Sequence, residues 1–516
     1  MDEAATDVAT WLASGKPLDT ASPPRRIDTH GAVIVLTADR AWKVKRPVRY
    51  PYLDFSTVEK RHAALAEELR LNRRTAPGLY IGLHPVARRA DGSLVLDGAD
   101  EGDVVDWVLE MRRFPDAALL ALRADREGLD DALLLRLTDG IVAFHSIAAI
   151  HSPADGAARL ARVIEGNARS MAGYPGILPP DLAARLNVRL RALLEAHAGL
   201  LDQRARDGFV RHCHGDLHLG NIAVIDAMPT PFDCLEFDAE LATTDVLYDL
   251  AFLLMDLWQR GLRHQANLVF NRYFDLAGAN EPGVALMPML MAVRATVRAH
   301  VLAAQASASH GGEGTGAQAR AYLDLALALV AEVPPRLVAI GGLSGTGKST
   351  LARMVGGEIG RAPGARVLRS DVLRKRLAGV PPETHLPAQA YTPDASVAVY
   401  AELERLARRA LSMGHSAVAD AVFGTPGERA AIAGVARAGG QAFTGIWLTL
   451  GEGDRLRRVE ERGADASDAD AAVVRMQSRA LDGPVADWAV FDTSAGAEAV
   501  AGKLAALLRA PPVDGQ

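Results

Sequence analysis

The stretch Gly342-Leu343-Ser344-Gly345-Thr346-Gly347-Lys348-Ser349-Thr350, GLSGTGKST, settles the architecture of the C-terminal part of the chain. It satisfies G-x-x-x-x-G-K-[ST] in full. The apolar run RLVAIGG precedes it and the helix-forming KSTLARMVGGEI follows it, which is the strand–loop–helix context the motif needs. A glycine-rich turn with a surface lysine is the plain alternative, and it leaves both flanks unexplained. Glycines let the backbone curl until several N–H groups point at one phosphate, and the helix N-terminus adds positive potential. Gly342 to Thr350 are therefore candidate nucleotide-binding residues. Lys348 is placed to reach the β- and γ-phosphates and to act on charge that develops during transfer. The Ser349 hydroxyl is a candidate Mg²⁺ ligand.

The residues after this loop repeat its rhythm. ARVLRSD, SAVADAV, AFTGIWLTL and WAVFDTS read as further buried strands with helical segments between them. That alternation predicts an α/β P-loop NTPase fold with a five-stranded parallel sheet. Asp371, at a strand end in RSDVLRKRL, is a candidate catalytic carboxylate for an acceptor hydroxyl, although Ser370 and Asp371 also suit a helix start. Asp420 ends the strand VADAVF, where a carboxylate can hold the water shell of Mg²⁺ or simply close a turn. Arg455, Arg457, Arg458 and Arg462 crowd one helix and the loop after it. Most such clusters are solvated faces. In a phosphoryl-transfer site they form a lid, with Arg458 and Arg462 on one helix face. In this order the segments resemble the small-molecule P-loop kinases, the group of gluconate kinase, chloramphenicol phosphotransferase and the zeta toxins. The resemblance runs from about Arg336 to the C-terminus and implies ATP-dependent phosphorylation of a hydroxyl.

A second phosphate-handling pattern lies upstream. His214-Gly215-Asp216-Leu217-His218-Leu219-Gly220-Asn221 carries D-x-x-x-x-N, and Asp233 follows after the apolar strand NIAVID and a short turn. Protein-kinase chemistry needs a carboxylate to take the acceptor proton, an amide to hold metal, and a later aspartate on the same metal. Asp216 is the candidate base, and Asn221 and Asp233 are candidate metal ligands. His214 is expected to brace the loop, and Asp245 and Asp249 to fix a helix start beside it. The pattern resembles the aminoglycoside phosphotransferase family. AWKVKRP is similar to its lysine-bearing strand, AALAEELRLN to the helix carrying the glutamate partner, and WVLEMRRF, with Met111, to the hinge that brackets adenine. The resemblance covers about residues 25 to 330 and implies an α+β bilobal protein-kinase-like fold. Lys43 and Lys45 share one strand face, and either can take the phosphate role, Lys43 being preferred. Glu67 and Glu68 compete as its partner, Glu68 being preferred. The hairpin before the lysines lacks a glycine-rich loop, so its grip on nucleotide is weak or uses backbone amides of THGAV.

Local patterns fill in the rest. AVIVL and AWKVKRP read as a hairpin, and the helix after them has Ser56 as N-cap with Glu59 completing a capping box. SASHGGEGTG reads as a linker, and Pro334-Pro335 as the boundary between a kinase-like domain, 1–334, and a P-loop domain, 335–516. The length of 516 residues supports two to four domains. A net charge of −6, with no basic stripe, argues against a nucleic-acid partner and for small-molecule hydroxyl substrates, with ATP and Mg²⁺ as cofactors. The sequence shows no uninterrupted apolar run of membrane-spanning length and no secretory signal, and its two cysteines cannot make a disulfide framework. The expected compartment is the cytoplasm. Cys213 and Cys234 read as buried small hydrophobes, and His145 and His151 fall in no metal-ligand spacing.

Overall fold

A computed structural model describes residues 3–18, 23–29, 31–50, 53–151, 153–308, 313–461, 465–480, 485 and 487–509. The chain divides into two compact units, Met1–Ala154 with Arg204–Asp249, and Asp155–Gln203 with Leu250–Gln516.

The first unit is built on a six-stranded antiparallel sheet. Its order is Arg25–Asp28, Ala32–Leu36, Arg40–Lys45, Asp103–Arg112, Tyr80–Arg88 and Leu94–Leu96. Val35 pairs with Trp42 and Ile34 with Lys43 in the expected hairpin. Period-two alternation sends Trp42 and Val44 into a core with Val33, Val35, Val86 and Val108, and Lys43 and Lys45 to the other face. The helix Val58–Asn72 follows. Its cap is Thr57, which accepts from Lys60 N at 3.4 Å; Ser56 is not the cap but donates to Asp54 at 2.6 Å. Farther on, the strands Ile222–Ile225 and Met228–Pro231 pair around Asp226 and Ala227, both at positive φ (51° and 63°). Two positive-φ residues make the tight turn whose twist matches a hairpin. That turn returns the chain towards the sheet just before Asp233.

The second unit holds the predicted parallel sheet, in the order Arg366–Arg369, Ala417–Asp420, Arg336–Gly342, Ala442–Thr449 and Ala489–Asp492. The central strand alternates between two cores. Leu337 and Ala339 pack with Leu403, Leu406 and Ile432, whereas Val338 and Ile340 pack with Leu351, Val355 and Leu504. Both faces are covered, as a parallel sheet requires. The helices Gly156–Ala172, Arg263–Leu276, Met287–Ala308 and Glu313–Leu329 belong to the same unit. Division by compactness therefore does not fall at Pro334-Pro335. Of the expected linker, residues 309–312 lie outside the described residues, and Glu313 to Gly316 already open a helix. The helical stretch Gly278–Ala308 is long and apolar enough to cross a membrane by composition, which the sequence reading overlooked. Its most apolar window is 78% buried inside the protein, as in a core helix.

One contact in this unit fastens the helices to the sheet edge. Arg366, on the edge strand, is fully buried and donates to Asn271 Oδ1 (2.9 Å), Asp275 Oδ1 (2.7 Å) and Glu281 Oε1 (3.0 Å). Asn271 Oδ1 also accepts from Val367 N at 2.7 Å, and Asn267 donates to Pro363 O and Ala365 O. The helix comes so close that a Cβ on Gly356 would stand 2.3 Å from Asn267 Oδ1, and one on Gly357 2.6 Å from Arg263 O. Removing one partner from a buried, hydrogen-bonded ion group of this kind costs about 3–5 kcal/mol.

Candidate active sites

In the first unit five charged side chains meet. Lys43 Nζ lies 2.7 Å from Glu68 Oε1 and 3.1 Å from Asp233 Oδ1. Lys45 Nζ lies 2.7 Å from Glu68 Oε2 and 2.5 Å from Glu236 Oε1. Both lysines thus share one buried glutamate, while Glu67 turns outward to Arg70. Burial alone would raise the Glu68 carboxyl, but Lys43 and Lys45 hold it down at about 2. Glu236 goes the other way, raised by burial against the pull of Lys45. Lys45 is 3% exposed and Lys43 12%, so Lys43 stands nearer the opening. Asp233 sits at φ +60°, a strained backbone for a non-glycine residue, held by its N–H donating to Tyr80 OH at 3.2 Å. Next to it Cys234 N donates to Asn72 Oδ1 at 2.9 Å. The end of the Glu68 helix therefore also positions the Asp233 segment.

The loop carrying Asp216 is pinned from behind. Asp249 accepts from His214 N (3.1 Å) and Gly215 N (2.9 Å), and lies 3.2 Å from His145 Nε2. The His214 ring contacts Phe232 O at 3.0 Å. Asn221 Nδ2 donates to Asp216 Oδ2 at 2.8 Å, which turns its amide oxygen away from that carboxylate. The Asn221 amide oxygen and the half-exposed Asp233 carboxylate are hard oxygen donors, a set that suits Mg²⁺. Met111 pairs with Ala41 and Tyr80 across the sheet and, like Phe114, Ile225 and Phe232, packs partly buried against the core of Leu65, Leu79, Tyr80 and Leu109. In the THGAV turn, Thr29 Oγ1 accepts from Ala32 N at 3.0 Å and Thr29 N donates to Ala32 O at 2.9 Å, so those two amides are engaged; His30 lies outside the described residues. Space, unlike sequence spacing, brings His145, Cys213 and Asp249 within 4.8 Å of one another. Because Asp249 serves two backbone amides, this buried cluster braces the loop.

In the second unit the phosphate loop joins the strand Arg336–Gly342 to the helix Lys348–Gly356. Gly345 and Gly347 have φ of +86° and +90°, and a Cβ on Gly345 would lie 2.6 Å from Arg455 O. Inside the loop, Thr346 Oγ1 and Lys348 Nζ both donate to Leu343 O (2.8 and 3.1 Å), and Ser344 N donates to Gln477 Oε1 at 2.8 Å. Ser349 Oγ donates to Asp420 Oδ2 at 2.6 Å, which places the two candidate Mg²⁺-side oxygens together. Arg369 lies 3.5 Å from the same carboxylate and 2.7 Å from Asp465. The helix Ser370–Leu377 starts on Arg369 without a side-chain cap, and Asp371 in its first turn lines a cavity of about 720 Å³. Gly345, Lys348, Ser349, Thr350 and Asp420 line it too. Burial raises the Asp371 carboxyl above its ordinary value; Arg369 opposes this and Asp420 adds to it.

The arginines separate by role. Arg455 is buried and donates to Leu450 O and Ser478 Oγ, backing the loop. Arg457 pairs with Asp454 on the exposed face. Arg458 lines the cavity and donates to Thr493 O at 2.9 Å. Arg462 lies outside the described residues. Sequence reasoning passed over several residues here. Asp468 accepts from Leu386 N at 3.0 Å and also holds Lys375 and the Tyr391 hydroxyl, fastening one wall of the cavity. Gln477 and Arg369 were missed as well, and so was the pairing of Glu236 with Lys45. Glu236 stands three residues after Asp233, a spacing that was open to inspection. For Gln477, on a surface-like helix, no local signal exists.

A family profile described as an AAA domain matches residues 337–484. Among solved structures, a choline/ethanolamine kinase family protein from Mesorhizobium loti is 16% identical with a TM-score of 0.36, covering 63% of this chain and 99% of that one. A gluconokinase from Sinorhizobium meliloti is 20% identical with a TM-score of 0.25, covering 34% of this chain and 91% of that one. The uncharacterized proteins Rv2004c of Mycobacterium tuberculosis and Mb2027c of Mycobacterium bovis are each 31% identical over 469 residues, 89% of this chain and 90% of theirs. At that identity and coverage the chain belongs to the family of these mycobacterial proteins.

Proposed function

We propose that the chain is a bifunctional, ATP-dependent phosphotransferase, each catalytic set moving the γ-phosphate of ATP to a hydroxyl of a small molecule. One observation carries the reading: each unit separately brings together candidate groups for phosphoryl transfer. The first holds Asp216, Asn221 and Asp233 beside the Lys43–Glu68 pair. The second holds the phosphate loop, Asp371 and Asp420 around one cavity. In the first unit Asp216 takes the proton of the acceptor hydroxyl as its oxygen bonds to phosphorus and the bond to ADP breaks. Lys43 exchanges Asp233 for phosphate oxygens, and Glu68 keeps it oriented. In the second, Asp371 receives the acceptor proton, Lys348 and the loop amides hold the transferred charge, and Arg458 closes on it. Bound Mg²⁺, held by Asn221 and Asp233 in one site and by Ser349 and Asp420 in the other, would supply charge neutralisation.

Cys213 and Cys234, buried and not joined in a disulfide, and the use of ATP favour the cytoplasm. The net charge of −6 and the mixed Asp and Arg lining of the large cavity favour small acceptors over nucleic acid. The experiment is ADP release by the full chain and by Lys348→Ala, Asp216→Asn and the double variant, across a panel of hydroxylated metabolites. The bifunctional reading requires each single variant to lose a different part of the activity. A second reading, a kinase-like domain that senses ligand without turnover, is favoured by the closed Lys43–Asp233 pair and the engaged Thr29 turn. It requires Asp216→Asn to leave all ADP release intact.

A further inference from the structure

We propose that a second cavity of about 390 Å³ in the P-loop unit binds a small organic anion with an apolar tail, its head on Arg361 and His197. The cavity lies far from the phosphate loop. Its walls include Arg361 and Gly414, which immediately precede the strands Arg366–Arg369 and Ala417–Asp420, together with Pro334 and Pro335 before the strand Arg336–Gly342. All three strands run parallel, so this is the N-terminal edge of the sheet, whereas Ser349 and Asp420 stand at its C-terminal edge. The central strand has seven residues, a span of roughly 20 Å at the rise of a β-strand.

The lining divides into an apolar part and a cationic one. Leu193, Met289, Leu329 and Val330 supply the first. Arg189, Leu193 and His197 recur every four residues, so they share one face of the helix Pro180–Arg206. Arg361 supplies the centre of the cationic part. It donates through Nη2 to Met413 O at 2.8 Å, while its enclosed Nε has no hydrogen-bond partner. Among the described residues no carboxylate pairs with it. The one acid in the lining, Glu332, is paired to Arg189 at 2.8 Å with its side chain 84% in solvent. Burial lowers the Arg361 guanidinium below its ordinary value. His197 is lowered by burial and then by Arg361, and buried His415 is lowered to about 3 for the same two reasons. A half-buried guanidinium on a cavity wall, with no carboxylate beside it among the described residues, offers an anion a charged contact. The volume is within the range of small-ligand pockets. A carboxylate and a phosphate monoester share the head-group chemistry. Because the wall Leu329–Pro335 leads directly into the first strand, occupancy bears on the sheet that carries the phosphate loop.

The test is calorimetric titration of the full chain with hexyl phosphate and, separately, heptanoate. Either probe should bind the wild type in the millimolar range or tighter. Arg361→Gln should weaken binding at least about tenfold, the loss of a charge-assisted contact. Leu193→Trp, which fills the cavity and leaves Arg361 in place, should weaken it similarly and covers the case in which Arg361→Gln fails to fold. Lys348→Ala should bind as the wild type does. Bound probe should also move the His197 imidazole titration upward, read on histidine-labelled protein. No binding to the wild type, wild-type affinity in Leu193→Trp, or loss of binding in Lys348→Ala each overturns the proposal; the last would put the probe on the phosphate loop.

Discussion

In the first unit, the charge proposed to meet phosphate sits on Lys43 and Lys45, and three carboxylates already hold both. Around Lys348, a backbone loop does the equivalent work, and the lysine itself rests on a carbonyl, Leu343 O. The first is a closed ion cluster that, on the proposed function, exchanges partners to admit a nucleotide. The second carries its contacts on backbone, where Ser344 N, held by Gln477 Oε1, and Thr346 N, held by Leu343 O, would exchange neutral partners rather than charged ones. Two solutions to one electrostatic problem therefore differ in what loading does to the fold. On the proposed function, nucleotide entry would disturb buried charge pairs in the ion cluster and only neutral hydrogen bonds in the loop.

The sharpest way to break this contrast is through stability. Lys45→Met leaves Glu68 and Glu236 buried with too few cations, and should lower the unfolding free energy by about 3–5 kcal/mol in urea denaturation. Lys43→Met, beside the half-exposed Asp233, should cost clearly less, and Lys348→Ala least of all. Equal losses for the three would erase the distinction between cluster and loop. Activity comes next. With an acceptor in hand, Lys348→Ala should lower the second site's turnover at least about 10²-fold, the scale for losing a group that meets transition-state charge. The Asp216-dependent portion should persist. Loss of both portions from one exchange would mean a single composite site.

A smaller effect separates the arginines. Arg458→Ala should reduce the Lys348-dependent turnover by about tenfold, as for one charge-assisted contact to phosphate, and Arg457→Ala should not change it. Equal behaviour would return both to the solvated face. The smallest effect is in pH. Asp371 must be ionised to accept a proton, and its carboxyl is raised, so the acid limb of kcat/KM in an Asp216→Asn background should lie above the ordinary aspartate value of 3.8. Arg369→Gln removes a group that holds this carboxyl down, and should move the limb higher still. A limb at the ordinary value that ignores Arg369 would assign the base elsewhere.

The parallel sheet was legible because each strand is an apolar run closed by Asp, Gly or Thr, and because the phosphate loop fixes one strand and one helix at once. The catalytic loop was legible for a similar reason, since Asp216 and Asn221 are near neighbours in sequence. Contacts between distant segments were not. Lys43 and Lys45 lie on one strand face, and only the fold shows that both close on Glu68. Asp468 sits in GADASDAD, whose composition reads as solvent-facing, yet it gathers three donors from another segment. Ser56 and Thr57 are equally good caps on paper, and backbone geometry chose Thr57.

The edge strand bearing Arg366 has a consequence for how the polypeptide can be divided. A cut at Pro334-Pro335 separates this guanidinium from Asn271, Asp275 and Glu281, and exposes a glycine-smoothed surface at Gly356 and Gly357 that is shaped for the helix Arg263–Leu276. The C-terminal piece is thus no longer a detachable cassette, although its motifs read as one. Splitting the gene at that seam would produce a fragment with a raw edge, unless the break moved upstream to carry the helix along. The phosphate-loop sheet and the helices that precede it in sequence therefore fold as one piece.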